Sequence, residues 1–456
     1  MSAGQAHATP LGPWQRVADA GIMNITEVGL ARTADGTLHA AWSSQQPGNT
    51  QSIELVPISA GGGLGAMQTA VSGWSSTENP ALGLSASGAL QLFFGGIHSL
   101  SPTDPNADEN LATSTDGGNT WTLTPADAVA PAASAYASQV AVSNDFAAQA
   151  TPFETWTGTS GVWVHAGTDS TSPNSNFQTA LGGCCGYYAK LASDGSGNTD
   201  VAWYSNATGK NGIWAQSVSG GGVPTGSPQQ MPNTANLGVG ELQRTPLIAR
   251  QQGGFYVTYP IGYPSFTGVE VWKIGGAALK VRAAHAPLAA GAAVDQAGRV
   301  WVFWVSNVGD RPVLYATRSN PSVTAFGATV TVGAPHGTGS VFSVDGNASS
   351  GALDVFSTLS ASGSPAATIW TRHVYPGLSV AVSPSSARLH HATKVTVHVT
   401  DAGVAVKGAT VRLGSHKATT NAAGRATIHL TVARNVAATA SDAGYVSGSA
   451  ELFAKR

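Results

Sequence analysis

A strand pattern that ends in an aromatic residue recurs along the chain, and this repeat constrains the fold most strongly. Each copy has a short apolar strand, a turn and a second strand with the aromatic, as in Gly29–Arg32 followed by Leu38–Trp42. Seven copies, about 52 residues apart on average, end at Trp42, Phe94, Trp156, Trp203, Tyr259, Trp304 and Phe356. A repeat of this length suits four short strands, which is the unit of a β-propeller blade.

A second pattern agrees with the first, because a third strand in the repeat also carries an aromatic residue. Its copies centre on Trp163, Trp214, Trp272, Tyr315 and Trp370. The two patterns predict an all-β fold with a six- or seven-bladed β-propeller; seven blades are favoured, and six result if Phe153–Trp156 belongs to an insertion. We expect the propeller to span residues 28–375, after an N-terminal segment, residues 1–27, that includes a closing strand.

The segment Ser114–Trp121, with the sequence STDGGNTW, resembles the Asp box of sialidase-type (BNR) repeats. This resemblance implies a tight turn between the third and fourth strands of a blade, on the outer rim of the propeller. Asp116 would cap turn amides, glycines such as Gly118 would supply positive φ, and Trp121 would wedge between neighbouring blades. The motif, which begins at Ser114, is therefore expected to be structural.

The composition changes after Tyr375–Gly377, and residues 378–456 read as short alternating strands. Val406–Val411 followed by Thr420–Ala426 resembles bacterial Ig-like and carboxypeptidase-regulatory-like modules. This resemblance implies a small Ig-like β-sandwich that acts as a spacer or an attachment domain.

Charge is distributed unevenly between these regions. Residues 33–243 contain 14 Asp and Glu against Lys190 and Lys210, whereas residues 378–456 contain nine Lys and Arg against three acids. A basic module beside an acidic propeller could attach the protein to a cell-envelope polymer or polysaccharide, although scattered surface charge explains the same numbers. Nucleic acid is not an expected partner, because no basic stripe with interleaved aromatics occurs in the larger domain.

Two further segments resemble parts of the sialidase catalytic site. Tyr188–Leu191, followed by Asp194 and Gly195, is similar to the segment that carries the nucleophilic tyrosine, and Arg244–Leu247 is similar to the one that carries the first arginine of the carboxylate clamp. The resemblance implies that Tyr188 attacks, that Arg244 binds an anionic group, and that Glu241 or Glu154 is the base.

The two segments occur in the opposite order to that of sialidases, and the clamp needs two more arginines. Residues 33–243 contain none. The candidates elsewhere are Arg32, Arg282, Arg299 and Arg311, of which Arg299 and Arg311 are expected in turns. The shortage of arginines favours binding, or a neutral-sugar substrate, over a carboxylated one.

Both cysteines of the chain are adjacent, at Cys184 and Cys185, and precede Tyr187 and Tyr188. In an oxidising compartment they would pair as a strained vicinal disulfide, because no other cysteine is present. Such a disulfide beside the tyrosines could stack on a sugar ring. The alternative is a pair of buried thiols that pack as small apolar residues.

The sequence calls for no cofactor, and metal binding through the two cysteines alone is not expected. Calcium would suit the acidic residues Asp104, Asp108 and Glu109, for which a solvated loop is the alternative. Histidines on several blades could converge near the propeller axis, although single histidines on strands usually just pack or face solvent. They are His39, His98, His165, His285, His336 and His373.

Two functions remain open at this stage. One is a secreted or cell-surface propeller that acts on extracellular glycans as a sialidase-like glycoside hydrolase, with either a sialic or a non-sialic substrate. The other is a non-catalytic propeller that binds a glycan or protein and is tethered by its Ig-like module. The start of the sequence lacks the features of a signal peptide, and no stretch approaches the length of a membrane span. The sequence does not indicate an oligomeric state.

Overall fold

The computed structural model describes residues 13–19, 28–98, 108–124, 138–143, 153–158, 161–166, 175–176, 186–237, 245–309, 311–335, 337–349, 351–361 and 367–456. Within these ranges every helix or strand is a strand, so the all-β prediction is confirmed. In the same ranges, no helix is long and apolar enough to span a membrane.

The part of the chain before residue 375 forms four-stranded antiparallel sheets, of which seven lie in the described residues. The N-terminal strand is β1 (Gln15–Asp19). The first sheet consists of β2 (Gly29–Arg32), β3 (Leu38–Gln45), β4 (Gln51–Ile58) and β5 (Gln68–Trp74). The second sheet consists of β6 (Ser76–Leu84), β7 (Leu90–Ile97), β8 (Asp108–Ser114) and β9 (Thr122–Leu123).

The third, fourth and fifth sheets follow the same order of four consecutive strands. The third has β10 (Ser138–Ser143), β11 (Phe153–Gly158), β12 (Gly161–Ala166) and β13 (Ser175–Asn176). The fourth has β14 (Gly186–Ser193), β15 (Thr199–Ser205), β16 (Gly212–Val218) and β17 (Pro224–Gln230). The fifth has β18 (Leu247–Ala249), β19 (Phe255–Ile261), β20 (Gly268–Lys273) and β21 (Ala278–Arg282).

The sixth and seventh sheets complete a closed ring of sheets, which we call the ring. The sixth has β22 (Pro287–Val294), β23 (Val300–Val308), β24 (Arg311–Arg318) and β25 (Val330–Gly333). The seventh has β26 (Thr338–Ala348), β27 (Leu353–Ala361) and β28 (Ala367–Val374), and β1 pairs with β28 as its fourth strand. Strand β2 contacts both β6 and β26, so the first sheet lies between the second and the seventh.

The recurrent aromatics explain how neighbouring sheets pack. All seven lie on the second strand of a sheet, and five of them are fully buried, as Trp42 and Trp304 illustrate. Separate apolar clusters join consecutive sheets: one unites the first and second sheets, and another unites the seventh and first. Each blade-like sheet is therefore sandwiched between two others, as the repeat requires.

Because every sheet repeats the same meander, the ring has two distinct ends. At the entry face the first strands begin and the second strands lead into the third. At the turn face lie the turns between first and second strands and between third and fourth strands. Five of the first turns share one backbone conformation, closed by a glycine with positive φ, at Gly36, Gly88, Gly197, Gly253 and Gly298.

Residues 379–456 form two further sheets that enclose a separate apolar core. One contains β29 (Ser379–Ser383), β31 (Ala392–Asp401), β32 (Val404–Ala405) and β35 (Arg425–Thr431). The other contains β30 (Ser386–Arg388), β33 (Thr410–Leu413), β34 (His416–Thr419), β36 (Val436–Ser441) and β37 (Gly448–Lys455). We call this two-sheet unit the C-terminal module.

A buried set of charges joins the C-terminal module to the turn face at the sixth sheet, and we call it the junction. Asp401 accepts hydrogen bonds from Arg299, at 2.7 Å, and from Arg318. Arg318 also pairs with Asp295 at 3.5 Å. These four side chains are about nine-tenths buried or more, and burial raises the pKa of Asp295. The module is therefore docked on the ring by specific contacts.

Candidate functional site

A group of aromatic side chains lies at the entry face, where the fourth and fifth sheets meet. We call it the entry cluster: Tyr187, Tyr188, Tyr204, Tyr263 and Phe266. The first two lie near the start of β14, Tyr204 lies one residue before the end of β15, and the last two lie between β19 and β20. Because the start of a first strand and the end of a second strand share the entry face, the fold brings these separate segments together.

The rings of the entry cluster are in ordered contact. The Tyr187 ring lies 6.2 Å from that of Tyr188 and 6.5 Å from that of Tyr204, while Tyr263 and Phe266 meet edge to face at 6.0 Å. Tyr187, Tyr188 and Phe266 pack against the core shared by the fourth and fifth sheets. Tyr263 remains 47% exposed. The cluster therefore presents preorganised aromatic surface to solvent.

Tyr204 is the polar anchor of this group rather than a reactive residue. Its hydroxyl donates a hydrogen bond of 2.9 Å to the Leu237 carbonyl, and its side chain is buried. Burial, followed by the neighbouring phenols of Tyr263 and Tyr187, raises its pKa above 10.0. Tyr204 therefore stays protonated and holds the cluster on the sheet.

Tyr188 has an unusual backbone conformation within the cluster. Its φ is 56°, and the register of β14 against β15 shifts between Tyr187 and Lys190. A positive φ costs a residue other than glycine roughly 1–3 kcal/mol and is concentrated at functional sites, as are β-bulges. The Tyr188 carbonyl accepts a hydrogen bond of 2.8 Å from the Thr245 amide, which joins the entrances of β14 and β18.

A cavity of about 610 Å³ follows the axis of the ring. Its wall is built by the first strands and their turns, with polar groups from Arg32, Lys190, Asp345 and Asn347. The cavity does not include Tyr188, although Lys190 lies two residues further along the same strand. Its volume is typical of small-molecule sites, but the entry cluster concentrates more of the predicted site residues.

Two of the candidate clamp arginines are occupied elsewhere. Arg32, at the turn face, donates to Asn347 at 2.9 Å and to Asp354 at 2.7 Å. Arg299 is buried in the junction. Arg311 is the first residue of β24 rather than part of a turn, because it pairs with Val308 in the ladder. The side chain of Arg282, the last residue of β21, is outside the described part of the structure.

Several predicted site residues also fall outside the described residues. They are Glu241, Arg244, Cys184 and Cys185, together with Asp104 and His336. Glu154 lies on β11, and Asp108 and Glu109 lie on β8, but their side chains are not described. The base, the vicinal disulfide and the calcium loop therefore stay predictions.

The Ser114–Trp121 segment forms a turn between β8 and β9, at the turn face. Asp116 accepts hydrogen bonds from the Thr120 amide at 2.9 Å and the Thr120 hydroxyl at 2.6 Å. Ser114 accepts one from the Gly118 amide, and Trp121 packs against the core between the first two sheets. These hydrogen bonds lower the pKa of Asp116 to about 2, with Thr120 as the main cause. The turn holds sheets together and lies far from the entry cluster.

The described histidines do not converge. His39 is buried in β3, and burial lowers its pKa. His98 contacts Trp74 edge to face, His285 lies near Tyr315, and His373 bonds Asp354 at 2.6 Å. Among the described residues, no three His, Cys, Asp or Glu side chains are grouped as a metal site would require.

Sequence reasoning singled out Tyr187 and Tyr188 but missed Tyr204, Tyr263 and Phe266. The only available signal was the aromatic content of the segment after Tyr259, which ends one of the repeats. The junction was missed as well, because Arg299 and Asp401 are 102 residues apart.

Comparison with known proteins gives similarity in structure rather than in sequence. No protein-family model matches the chain, and no curated protein sequence matches it either. The structure is similar to that of the BP39L lectin from Burkholderia pseudomallei, with a TM-score of 0.50 and 15% identity over 75% of this chain and 98% of the lectin. This similarity shows a shared fold.

Two further structures are similar at lower scores. The polysaccharide lyase Uly1 gives a TM-score of 0.48 at 10% identity, covering 79% of this chain and 91% of the lyase. A Trypanosoma rangeli sialidase mutant gives 0.39 at 9% identity, covering 80% of this chain and 59% of the sialidase. These values add nothing about the chemistry of the present chain.

Proposed function

We propose that this chain is a secreted or cell-surface, seven-bladed propeller of the sialidase-like, Asp-box type, with an Ig-like module, and that it binds a glycan at its entry face. The entry cluster is the observation that carries this proposal. The Tyr263 ring is 47% exposed, and the Tyr187 and Tyr188 rings are partly buried. These rings combine flat apolar surface with hydroxyl groups, and sugars present the same combination. The fold similarity to a lectin is compatible with this function.

The order of the entry cluster favours binding over a passive role. Tyr187 and Tyr188 are held by packing and by the Tyr204 anchor, so little conformational freedom is lost when a ligand arrives. The strained Tyr188 backbone would be an unexplained cost if the segment only filled space. A preorganised aromatic surface beside an axial cavity is a reasonable site for a short glycan.

Glycoside hydrolysis is the second candidate, because one contact joins the two segments on which it depends. Thr245 is bonded to Tyr188, and Arg244 precedes Thr245 directly in the chain. In this version Tyr188 is the nucleophile, Glu241 or Glu154 is its base, and Arg244 orients the substrate. Cys184 and Cys185 would border the sugar. Hydrolysis needs two carboxyl or phenol groups roughly 5–10 Å apart across one pocket.

The two candidates separate in one experiment. The purified chain is tested for binding to a glycan array and for turnover of a panel of fluorogenic glycosides that includes a sialoside. We expect glycan binding that weakens at least about fivefold, or roughly 1 kcal/mol, in Tyr263→Ala and Tyr187→Ala. Phe453→Ala removes an equally exposed aromatic, 48% against 47%, from the C-terminal module and should leave binding unchanged.

The same panel tests catalysis through Tyr188→Phe and Glu241→Gln. Turnover that both variants abolish, while binding persists, would establish a hydrolase at the entry face. Absence of both glycan binding and turnover across the panel would reject the glycan proposal in either form.

A further inference from the structure

One sheet of the C-terminal module, which contains β31 and β35, has an outer face whose ionisable side chains are all Lys, Arg or His. We call it the cation face, and define it by Lys394 and His398 on β31 and by Arg425 and His429 on β35. The alternate residues of both strands, such as Val397 and Ile428, point into the module core. Strand alternation therefore places all four side chains on the outward surface.

The register of the two strands sets these groups directly opposite one another. Lys394 pairs with His429, and His398 pairs with Arg425, with Thr396 and Thr427 between them. Directly opposed residues have Cβ atoms about 5 Å apart, and the two pairs are separated by about 14 Å along the strands. The four groups thus occupy the corners of a narrow rectangle.

Each facing pair joins one permanent cation to an imidazole, so neither pair contains the opposite charges that stabilise facing positions in a sheet. On the third strand of the face, β29, the facing residues are small and uncharged: Ser379, Ala381 and Ser383. The three acids of the module lie elsewhere: Asp401 is in the junction, Glu451 is on the other sheet, and Asp442 directly follows β36 of that sheet. The face is therefore flat and positive without local compensation.

We propose that the cation face binds an anionic polysaccharide, at a site separate from the entry cluster. Lys394 and Arg425 would pair with carboxylate or sulfate groups spaced along one chain, and the threonines between them would bond its hydroxyls. The face has no Phe, Tyr or Trp, which are the larger rings on which nucleic-acid bases stack most strongly. The acidic propeller docked beside the module disfavours a densely charged polymer such as duplex DNA.

The test uses the full chain and immobilised polygalacturonate and dextran sulfate, with neutral dextran and duplex DNA for comparison. We expect binding to the two anionic polysaccharides that weakens as salt is added. The double variant K394Q/R425Q should lose at least roughly tenfold in affinity. The matched control R412Q/K417Q removes the same charge from a facing pair on the other sheet and should stay within about twofold.

Thermal unfolding of both double variants is measured as the control that each remains folded. Equal losses in the two variants would mean that net charge alone drives binding, and this would overturn the proposal. The proposal would also be overturned if the chain bound neither of the two anionic polysaccharides, or if it bound duplex DNA more tightly than it bound them. Dimers in sedimentation velocity that dissociate in K394Q/R425Q, without polysaccharide binding, would assign the face to a second copy of the chain.

Discussion

The junction provides the most demanding test of this structure, through the substitution Asp401→Asn. The Asp401 carboxylate accepts from both Arg299 and Arg318, and the amide that replaces it carries no charge. Of its two carboxylate partners, Arg318 would keep only Asp295, at 3.5 Å, beside its contacts with Trp301 and Tyr445. The buried set would change from two positive and two negative groups to an excess of one positive charge.

The cost follows from burial. Removing one partner of a buried pair costs about 3–5 kcal/mol, because the remaining charge is desolvated without compensation. The Arg299 and Arg318 side chains are only 11% and 6% exposed, so water cannot replace Asp401 unless the module moves away. The loss therefore has an upper limit, which is the free energy of docking the module on the sixth sheet.

The substitution is expected to lower stability and to release the module from the ring. Urea denaturation measures the first effect, and limited proteolysis measures the second. We expect Asp401→Asn to lower the free energy of unfolding, or to split one transition into two. A nonspecific protease should cut the variant faster near Pro376–Leu378, where Leu378 now bonds Val446 of the module at 3.0 Å. Glu451→Gln removes one exposed acid from the same module and serves as the control.

If Asp401→Asn unfolds within about 0.5 kcal/mol of the parent chain, as ordinary surface substitutions do, and its cleavage rate is unchanged, the junction does not hold the module. A hydrophobic replacement of the whole set would be uninformative alone, because buried ion pairs can often be replaced without loss.

Three further predictions concern the ring. Arg32→Ala removes the guanidinium from the buried Asp354 carboxylate and leaves that carboxylate bonded to His373, so it should cost about 1.5–3 kcal/mol in urea unfolding, the range for a hydrogen bond to a charged group. Arg311→Ala at an exposed strand start should cost little. Gly118→Ala should destabilise more than Gly117→Ala: both have positive φ, but an added Cβ at Gly118 lies 2.9 Å from Leu55 and that at Gly117 meets nothing within 4 Å; equal melting temperatures would contradict this. The hydrogen bonds that lower the pKa of Asp116 stabilise the folded state at pH values above 3.8, the pKa of the unfolded chain. The gap in melting temperature between the parent chain and Asp116→Ala should therefore shrink as pH falls from 4 toward 2. A gap independent of pH would contradict the hydrogen-bond account.

The fold was largely predictable because its signal is local and repeated. The aromatics from Trp42 to Phe356 recur at the spacing of a four-stranded unit, and each lies on a second strand. The prediction of an all-β fold built from repeated four-stranded sheets is confirmed. Packing makes this possible, since every sheet needs a large apolar residue at the same position against its neighbour.

The site was less predictable, because its members meet through tertiary contacts. Tyr188 was identified from a local resemblance, and Tyr187 from its place beside the two cysteines. Tyr263 joins them only because the fifth sheet follows the fourth around the ring. The resemblance also drew attention to arginines such as Arg32, whose side chain is bonded across the closure of the ring. A sequence pattern gives the type of a residue and its position in a strand. It does not show which other side chain that residue contacts in the folded chain.

The positions of the two proposed sites imply a specific role for the junction. The entry cluster lies at the entry face, whereas the C-terminal module is docked on the turn face, so a ligand at one site does not cover the other. If both sites are occupied on one surface, the second binding event is intramolecular, and its gain depends on how firmly the two sites are held apart. Asp401→Asn should therefore weaken attachment to a matrix that displays both ligands while leaving the affinity for each isolated ligand unchanged. Equal attachment of the variant and the parent chain to such a matrix would show that the two sites act independently.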